Sequence, residues 1–389
     1  MSTRPLRLKD IPGIGVDQMG NAADAMADPS ILRLENLDTD LRPWSGALEA
    51  TRRAIDEDAA NSYLPFLGRD CLRRAATAHV SRQSGVAYDW RRCCAITAGG
   101  LSGILDVLLA TLDPGDGVVL TDPIYAGLLN RVRLAGAVPS LCRLVPGPEG
   151  WRLDLESFRA AAAAPGVKAV LMMSPSMPTG CVLTGEEWAA VAEVCVQRGL
   201  LMIYDAAMER ILFDGRSVLH PASLAGMAER TVTIGSASKE LRMIGWRVGW
   251  VVGPEAALAD VGLVSMANVV CQVGIAMPGV AAALEAPAAD VAHAVAEWER
   301  RRDVVLAELA GLPAIPPHGG WSLLMDCGPL GLTGAEASER LLKDARVAAT
   351  AMSGWGSTDT ARYLRFVYAN EPCGRLAGMG ERVRRALGR

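Results

Sequence analysis

Gly235-Ser-Ala-Ser-Lys-Glu-Leu-Arg-Met-Ile-Gly-Trp-Arg-Val-Gly249 is the stretch on which the reading of the fold turns. Apolar runs at 231–234 and 248–252 flank it, so it links two buried strands. Lysine is scarce in this chain, with only Lys9, Lys168, Lys239 and Lys343. Taken alone, a lysine in such a turn is more often a solvated surface charge. Lys239, however, stands at a strand end, between small hydroxyl residues and an apolar stretch read as helical. Burial there disfavours the ammonium form and favours the free amine that a Schiff base requires. Arg247 comes after a glycine at the start of the next strand, where a planar fork can reach back to a phosphate, and Ser236 and Ser238 add hydroxyl donors.

Working outward, apolar runs at 94–97, 117–121, 167–173 and 200–204 alternate with helical patterns. This alternation predicts an α/β fold with a mostly parallel sheet between helices. Each run ends in a polar or glycine-containing turn. In an open parallel sheet, ligands bind outside the carboxyl ends of the strands, so these turns are expected to converge on one side. Residues 1–46 read as an arm together with part of a smaller domain, with 36–43 an irregular crossing segment. Residues 47–285 read as the large domain and 286–389 as the smaller one.

Three of these turns carry further candidates. Gly99, Gly100 and Leu101 open a helix whose free N–H groups suit an anion. Asp205 closes an apolar strand, where an unpaired carboxylate is costly and a protonated pyridine nitrogen is a fitting partner. Its alternative role is a helix N-cap. Tyr125, after Asp122-Pro123, is placed to lie flat on a ring, or to be a core aromatic.

Composition excludes several classes. Half of the 389 residues are apolar and the net charge is −4, which rules out a disordered chain. Lys+Arg at 39 falls short of Asp+Glu at 43, so no basic surface for nucleic acid is expected. The longest charge-free stretch, 261–284, contains Ser265, Asn268, Gln272, Gly274 and Pro278 and is a poor bilayer span. A polar amino terminus and nine cysteines without a CxxC pair point to a cytoplasmic protein with reduced thiols. No His/Cys spacing supports a metal, and residues 97–103 lack the full GxGxxG of a nicotinamide site. His79, His220 and His293 read as surface or satisfied residues. His318, before Gly319-Gly-Trp321, is a candidate ligand contact. Trp321 and Trp44 each read as a pocket wall or a core aromatic.

Together, Ser236-x-Ser238-Lys239 with Gly245-x-Arg247-x-Gly249, the turn Ser174-Pro-Ser-Met-Pro-Thr-Gly180, Asp205 three residues before Met208, and Asn61-Ser-Tyr63 followed by Gly68 resemble the fold type I pyridoxal-phosphate enzymes. Within these the resemblance is to the class I/II, aspartate aminotransferase-like family. It implies a large domain with a mostly parallel seven-stranded sheet between helices and a smaller α+β domain. It further implies pyridoxal 5'-phosphate as cofactor, an amino-acid substrate and a 2-oxo acid, and a homodimer with shared active sites. By the same resemblance Lys239 forms the internal aldimine and shuttles the substrate proton, and Asp205 keeps the pyridine nitrogen protonated. Tyr125 stacks on the ring, while Gly99, Gly100, Leu101, Ser236, Ser238 and Arg247 hold the phosphate. Tyr63 reaches the phosphate of the neighbouring subunit, Arg365 grips the substrate carboxylate, and Trp321 and Asn36 border the substrate.

Two departures stand out. The family usually has asparagine before Pro-Thr-Gly and tyrosine three residues after the aspartate, both donating to the cofactor's ring oxygen. This chain has Met177 and Met208, which cannot donate. The usual glycine of the substrate-binding arm is also missing near Asn36. The methionines fit ordinary transamination with a repacked edge. Transamination is the preferred reading, because Lys239, Asp205 and Arg365 all remain in place; the alternative is a pyridoxal-phosphate elimination, replacement or carbon–carbon bond formation through a quinonoid. A regulatory protein of this fold is disfavoured, because Lys239 and Arg247 are present and the chain begins almost at the fold, without a DNA-binding module.

Overall fold

The computed structural model describes residues 5, 8–11 and 13–389. Helix α1 (Val16–Ala25) and the short strand β1 (Leu32–Arg33) come first, followed by the irregular crossing segment and helices α2 (Ser45–Ile55) and α3 (Asp70–Ser84). Strands β2 (Cys94–Thr97), β3 (Gly117–Asp122), β4 (Val138–Gly147), β5 (Gly150–Leu153), β6 (Val167–Met173), β7 (Leu201–Asp205), β8 (Thr231–Ser236) and β9 (Gly249–Val252) form one eight-stranded sheet in the order β2-β9-β8-β7-β6-β3-β4-β5. The pairs β4–β3, β3–β6, β6–β7 and β7–β8 are parallel. Strand β9 runs antiparallel to both β8 and β2, and β5 folds back on β4. The carboxyl ends of β2, β3, β6, β7 and β8 therefore share one edge, as the turn pattern required.

The sheet has one strand more than expected, and β4 with β5 carried no clear signal. These lie at the sheet's margin, where β4 alternates exposed and buried positions and includes Pro139, Ser140, Arg143 and Pro146. Such a composition suits an edge rather than a buried run. Helix α1 was also unmarked, because its residues VDQMGNAADA bury only Ala23.

The central strands read as near-continuous apolar runs because helices cover both faces. On one face α4 (Gly100–Thr111), α5 (Ala126–Leu134) and α8 (Glu255–Asn268) pack through Ile104, Val107, Leu108, Leu128, Val132, Leu258 and Val261 against Val118, Leu120, Ile203 and Val251. On the other, α6 (Leu155–Ala163) and α7 (Gly185–Arg198) bury Phe158, Trp188, Val191 and Cys195 in a core continuous with the C-terminal part of the chain. That part holds α9 (Met277–Leu284), the long α10 (Ala288–Glu308) and a separate four-stranded sheet. Its strands β10 (Ala314–Ile315), β11 (Ser322–Asp326), β13 (Thr350–Ala351) and β14 (Tyr363–Val367) are antiparallel, while β12 (Val347–Ala348) pairs with β1. No single helix among the described residues is long and apolar enough to cross a membrane.

The segment after Lys239 is not the helix that its apolar residues suggested. Strand β8 ends at Ser236 and its antiparallel neighbour begins at Gly249, so residues 237–248 must reverse the chain. They do so through turns and a short 3-10 segment, with positive φ at Arg242 and Arg247.

Candidate active site

A cavity of about 310 Å³ opens at the carboxyl edge of the large sheet, where the turns after β2, β3, β6, β7 and β8 meet. Lys239, Asp205, Arg247, Arg365, Ser236, Ser238, Gly100, Leu101, Tyr125, Met177, Met208 and Asn36, far apart in sequence, all line it.

Lys239 Nζ donates to the Leu37 carbonyl at 2.8 Å and stands 4.9 Å over the Trp321 ring. Burial pushes its ammonium down to about 7, opposed by Asp38 and aided by Arg365 and Arg247. A neutral amine at neutral pH is a competent nucleophile and base. Asp205, at the end of β7, is buried and accepts the Ala207 N–H at 3.1 Å. Burial raises its carboxyl to about 6, while the Ala207 N–H, Arg131 and Lys239 hold it down. Its resting place favours a cation that approaches from the cavity.

At one end of the cavity, α4 presents its first turn, whose N–H groups have no intrahelical acceptors. Gly99 takes φ 88° before Gly100, and a Cβ there would fall 2.6 Å from Arg247 Nη2. A Cβ on Gly249 would fall 2.5 Å from the Gly100 backbone nitrogen. Glycine at both places lets strand β9, the α4 amino terminus and Arg247 close around one small volume. Arg247 Nη1 donates to the Ile244 carbonyl at 2.9 Å and to Ser238 Oγ at 3.4 Å, and no carboxylate among the described residues pairs with it. This end is a cradle for a phosphate dianion.

At the other end, Arg365 on β14 is only 1% exposed yet has no carboxylate partner among the described residues. It donates to the Glu35 carbonyl and to Thr350 Oγ1, lies 4.7 Å over the Trp355 ring, and meets Met177 Sδ at 3.7 Å. Its Nε is buried without an acceptor. Burial lowers its pKa to about 10, against the pull of Tyr125 and Glu35. A buried guanidinium left open on one edge is built to receive a carboxylate.

Some expectations need correction. Trp321 is fully buried beneath Lys239 and packed 5.1 Å from Trp298, so it supports the cavity rather than lining it. His318 lies away from it, beside a second cavity bordered by Asp214, Arg216 and Arg302, with its Nε2 against the Glu149 carbonyl. Trp44 packs in the α2–α9 cluster instead. Tyr63, expected to act on a neighbouring subunit rather than on its own, is 86% exposed and does not line the cavity of its own chain. Of the two readings given for His79, the structure has the satisfied one: it is buried, 3.3 Å from Glu209. Burial raises the Glu209 carboxyl and lowers the His79 imidazole, so desolvation favours the neutral form of each.

Sequence reading missed Ile14, Val16 and Asp17 at the cavity mouth, and Leu37, Met173, Ala207 and Ile244 on its walls. An apolar Ile14 and Val16 in a polar leader was the available signal. It also missed two supports. Arg131 donates to the Leu101 and Gly127 carbonyls at 2.8 Å each, bracing the α4 turn. Glu240 receives both the Arg210 backbone N–H at 2.7 Å and its Nε at 2.6 Å, tying the aspartate turn to the lysine turn.

The chain matches the family model described as aminotransferase class I and II over residues 35–375. It belongs to the class I and II aminotransferases. This aminotransferase is 34% identical over 338 residues to an arginine–pyruvate transaminase of Pseudomonas aeruginosa, covering 83% of this chain and 84% of that one. It is 32% identical over 348 residues to the aspartate/prephenate aminotransferase of Thermus thermophilus, covering 88% and 87%. Its fold superposes on the N-succinyldiaminopimelate aminotransferase of Mycobacterium tuberculosis with a TM-score of 0.91 at 31% identity, covering 99% of this chain and all of the other. These relatives give no support to an elimination or replacement enzyme. The aminotransferase uses pyridoxal phosphate, as its family does, and the depressed lysine, open phosphate cradle and unpaired arginine fit that group.

Proposed function

We propose that Lys239 holds pyridoxal phosphate in this aminotransferase, and that Arg365 selects α-amino acids and 2-oxo acids by their carboxylate. The observation that carries the reading is Arg365, fully enclosed and uncompensated in the same cavity as an amine lowered to about 7. When bound, pyridoxal phosphate supplies an electron sink that acidifies the substrate Cα–H. Asp205 would hold a proton on the ring nitrogen, and Tyr125 would pack against the ring. Gly100, Leu101, Ser236, Ser238 and Arg247 bind the phosphate. Lys239, with its pKa lowered to about 7 and so partly in the free-amine form at neutral pH, would carry the substrate proton across the site. Met177 and Met208 fill one edge of the cavity and exclude water without donating.

A reading with two copies sharing their sites is supported by one exposed apolar surface. Tyr63 and Phe66 stand out on the segment after Ala60, and Leu263, Met266, Val270 and Val273 on and after α8. The two segments pack together, since Gly274 lies directly against the Ala60 carbonyl. Tyr63 of the partner subunit then completes the phosphate cradle. Light scattering is expected to give a dimer, and Tyr63→Phe to weaken cofactor retention about tenfold without dissociating it. A fully active monomer sinks this part. The nine free cysteines support the cytoplasmic reading.

The function is tested with purified protein, pyridoxal phosphate and a panel of amino acids. One equivalent of the corresponding 2-oxo acid is expected per site without acceptor, with continued turnover only when a second 2-oxo acid is added. Release of ammonia or carbon dioxide overturns the assignment. The lysine itself has a pH signature. Its reactive amine forms as pH rises through its pKa, so uptake of pyridoxal phosphate by cofactor-free protein should accelerate up to about pH 7 and then level off. A rate that keeps rising past pH 9 would mean that Lys239 is not desolvated.

A further inference from the structure

We propose that the face of the Trp321 indole and the Leu37 carbonyl form a seat for the Lys239 amine when it carries a proton, and that Trp321 thereby raises the basicity of this lysine. The inference rests on the role given to Lys239 above. Its nitrogen stands 4.9 Å over the ring and 2.8 Å from the carbonyl, and both groups attract an ammonium more than a neutral amine. Asp38 on the crossing segment and Asp205 at the end of β7 also draw on the ammonium. Arg365 on β14 and Arg247 before β9 repel it, and burial outweighs them all.

Trp321 is a poor choice if it only fills the core. It is fully buried, and its Nε1 has no acceptor among the described residues. Its neighbour Trp298, 5.1 Å away and equally buried, donates Nε1 to Thr39 Oγ1 at 3.1 Å. A buried N–H left unmet is costly, and phenylalanine would fill the place without one. What the indole adds is a more negative face, and Lys239 is the cation set on it. Arg365 lies in the same way over Trp355, at 4.7 Å. Among the described residues no carboxylate comes within ion-pair reach of Lys239. A carboxylate there would hold the ammonium through the whole cycle, whereas a ring face pulls less and lets the proton leave again.

The test reads the lysine directly. Lys9, Lys168, Lys239 and Lys343 are the only lysines, so full-length, cofactor-free protein carrying lysine labelled with carbon-13 at Cε should give a separate magnetic resonance signal for each. The signal of Lys239 is identified by its loss in Lys239→Met, and its titration gives the pKa. Trp321→Phe is expected to lower that pKa by about half a unit. Exchange of Trp321 for trifluorotryptophan, which keeps the shape and drains the ring face, should lower it at least as far. Loosened packing moves the value the other way, since water admitted beside the amine relieves its desolvation. An unchanged or raised pKa in the fluorinated protein overturns the proposal. The titration needs neither cofactor nor turnover. If the panel of amino acids yields no 2-oxo acid, the proposed function fails while the seat is still decided.

Discussion

Lys239→Ala is expected to lower turnover by about 10⁴-fold or more, the largest effect of any single change in this chain. One positioned acid–base group contributes up to about 10⁴, and the same amine also binds the cofactor covalently. Its position cannot be taken over: Lys9, Lys168 and Lys343 are the only other lysines, and none lines the cavity. Borohydride reduction and peptide mapping should place the phosphopyridoxyl group on Lys239 in wild type and nowhere in the variant. A label on another lysine would refute the assignment. The fold should be unaffected, because removing a buried amine whose bond is to a single carbonyl relieves a desolvation cost.

Arg365→Met comes second. Losing one partner of a desolvated charge pair costs about 2–5 kcal/mol, which corresponds to a loss of about 30- to 5,000-fold in kcat/KM for every amino donor. Cofactor loading should survive, since the phosphate cradle and Lys239 lie elsewhere in the cavity. Methionine fills much of the arginine's space, and the guanidinium of the empty protein has no compensating carboxylate. The melting temperature should therefore stay level or rise. Parallel loss of cofactor, stability and activity would show Arg365 to be structural instead.

How much could be read beforehand follows from where each signal resides. The central strands are buried on both faces, so their apolar runs and terminal turns announced themselves, and the lysine and glycine turns placed the phosphate end. Strands β4 and β5 lie at the margin and look like mixed surface chain. Trp321 was read as a wall and is a floor, because sequence spacing does not say which side of a strand faces a ligand. Ile14, Leu37 and Met173 could not be told from core residues, since an apolar cavity wall and a core use the same side chains. The Arg210–Glu240 clasp joins residues 30 positions apart, through a contact that only the tertiary fold creates.

The reversal that carries Lys239 is closed by its own backbone. Ser236 pairs with Gly249, Ala237 N–H donates to Val248, Arg242 N–H to Lys239 and Met243 N–H to Ala237, at about 3.0 Å each. The Cα of the lysine is thus fixed to the middle of the sheet, and only its four-carbon stem is free to swing. Such rotamer hops take picoseconds to nanoseconds, whereas enzymes commonly turn over about ten times per second. Swinging of the stem is therefore far faster than turnover, and what the lysine adds to the barrier is the bond cleavage alone. Segment 36–43 is held in another way, by side chains reaching it from other elements: Lys239 to Leu37, Arg242 to Arg42, Trp298 to Thr39 and Arg301 to Asp40, so displacing it would break contacts distinct from those that fix the lysine backbone.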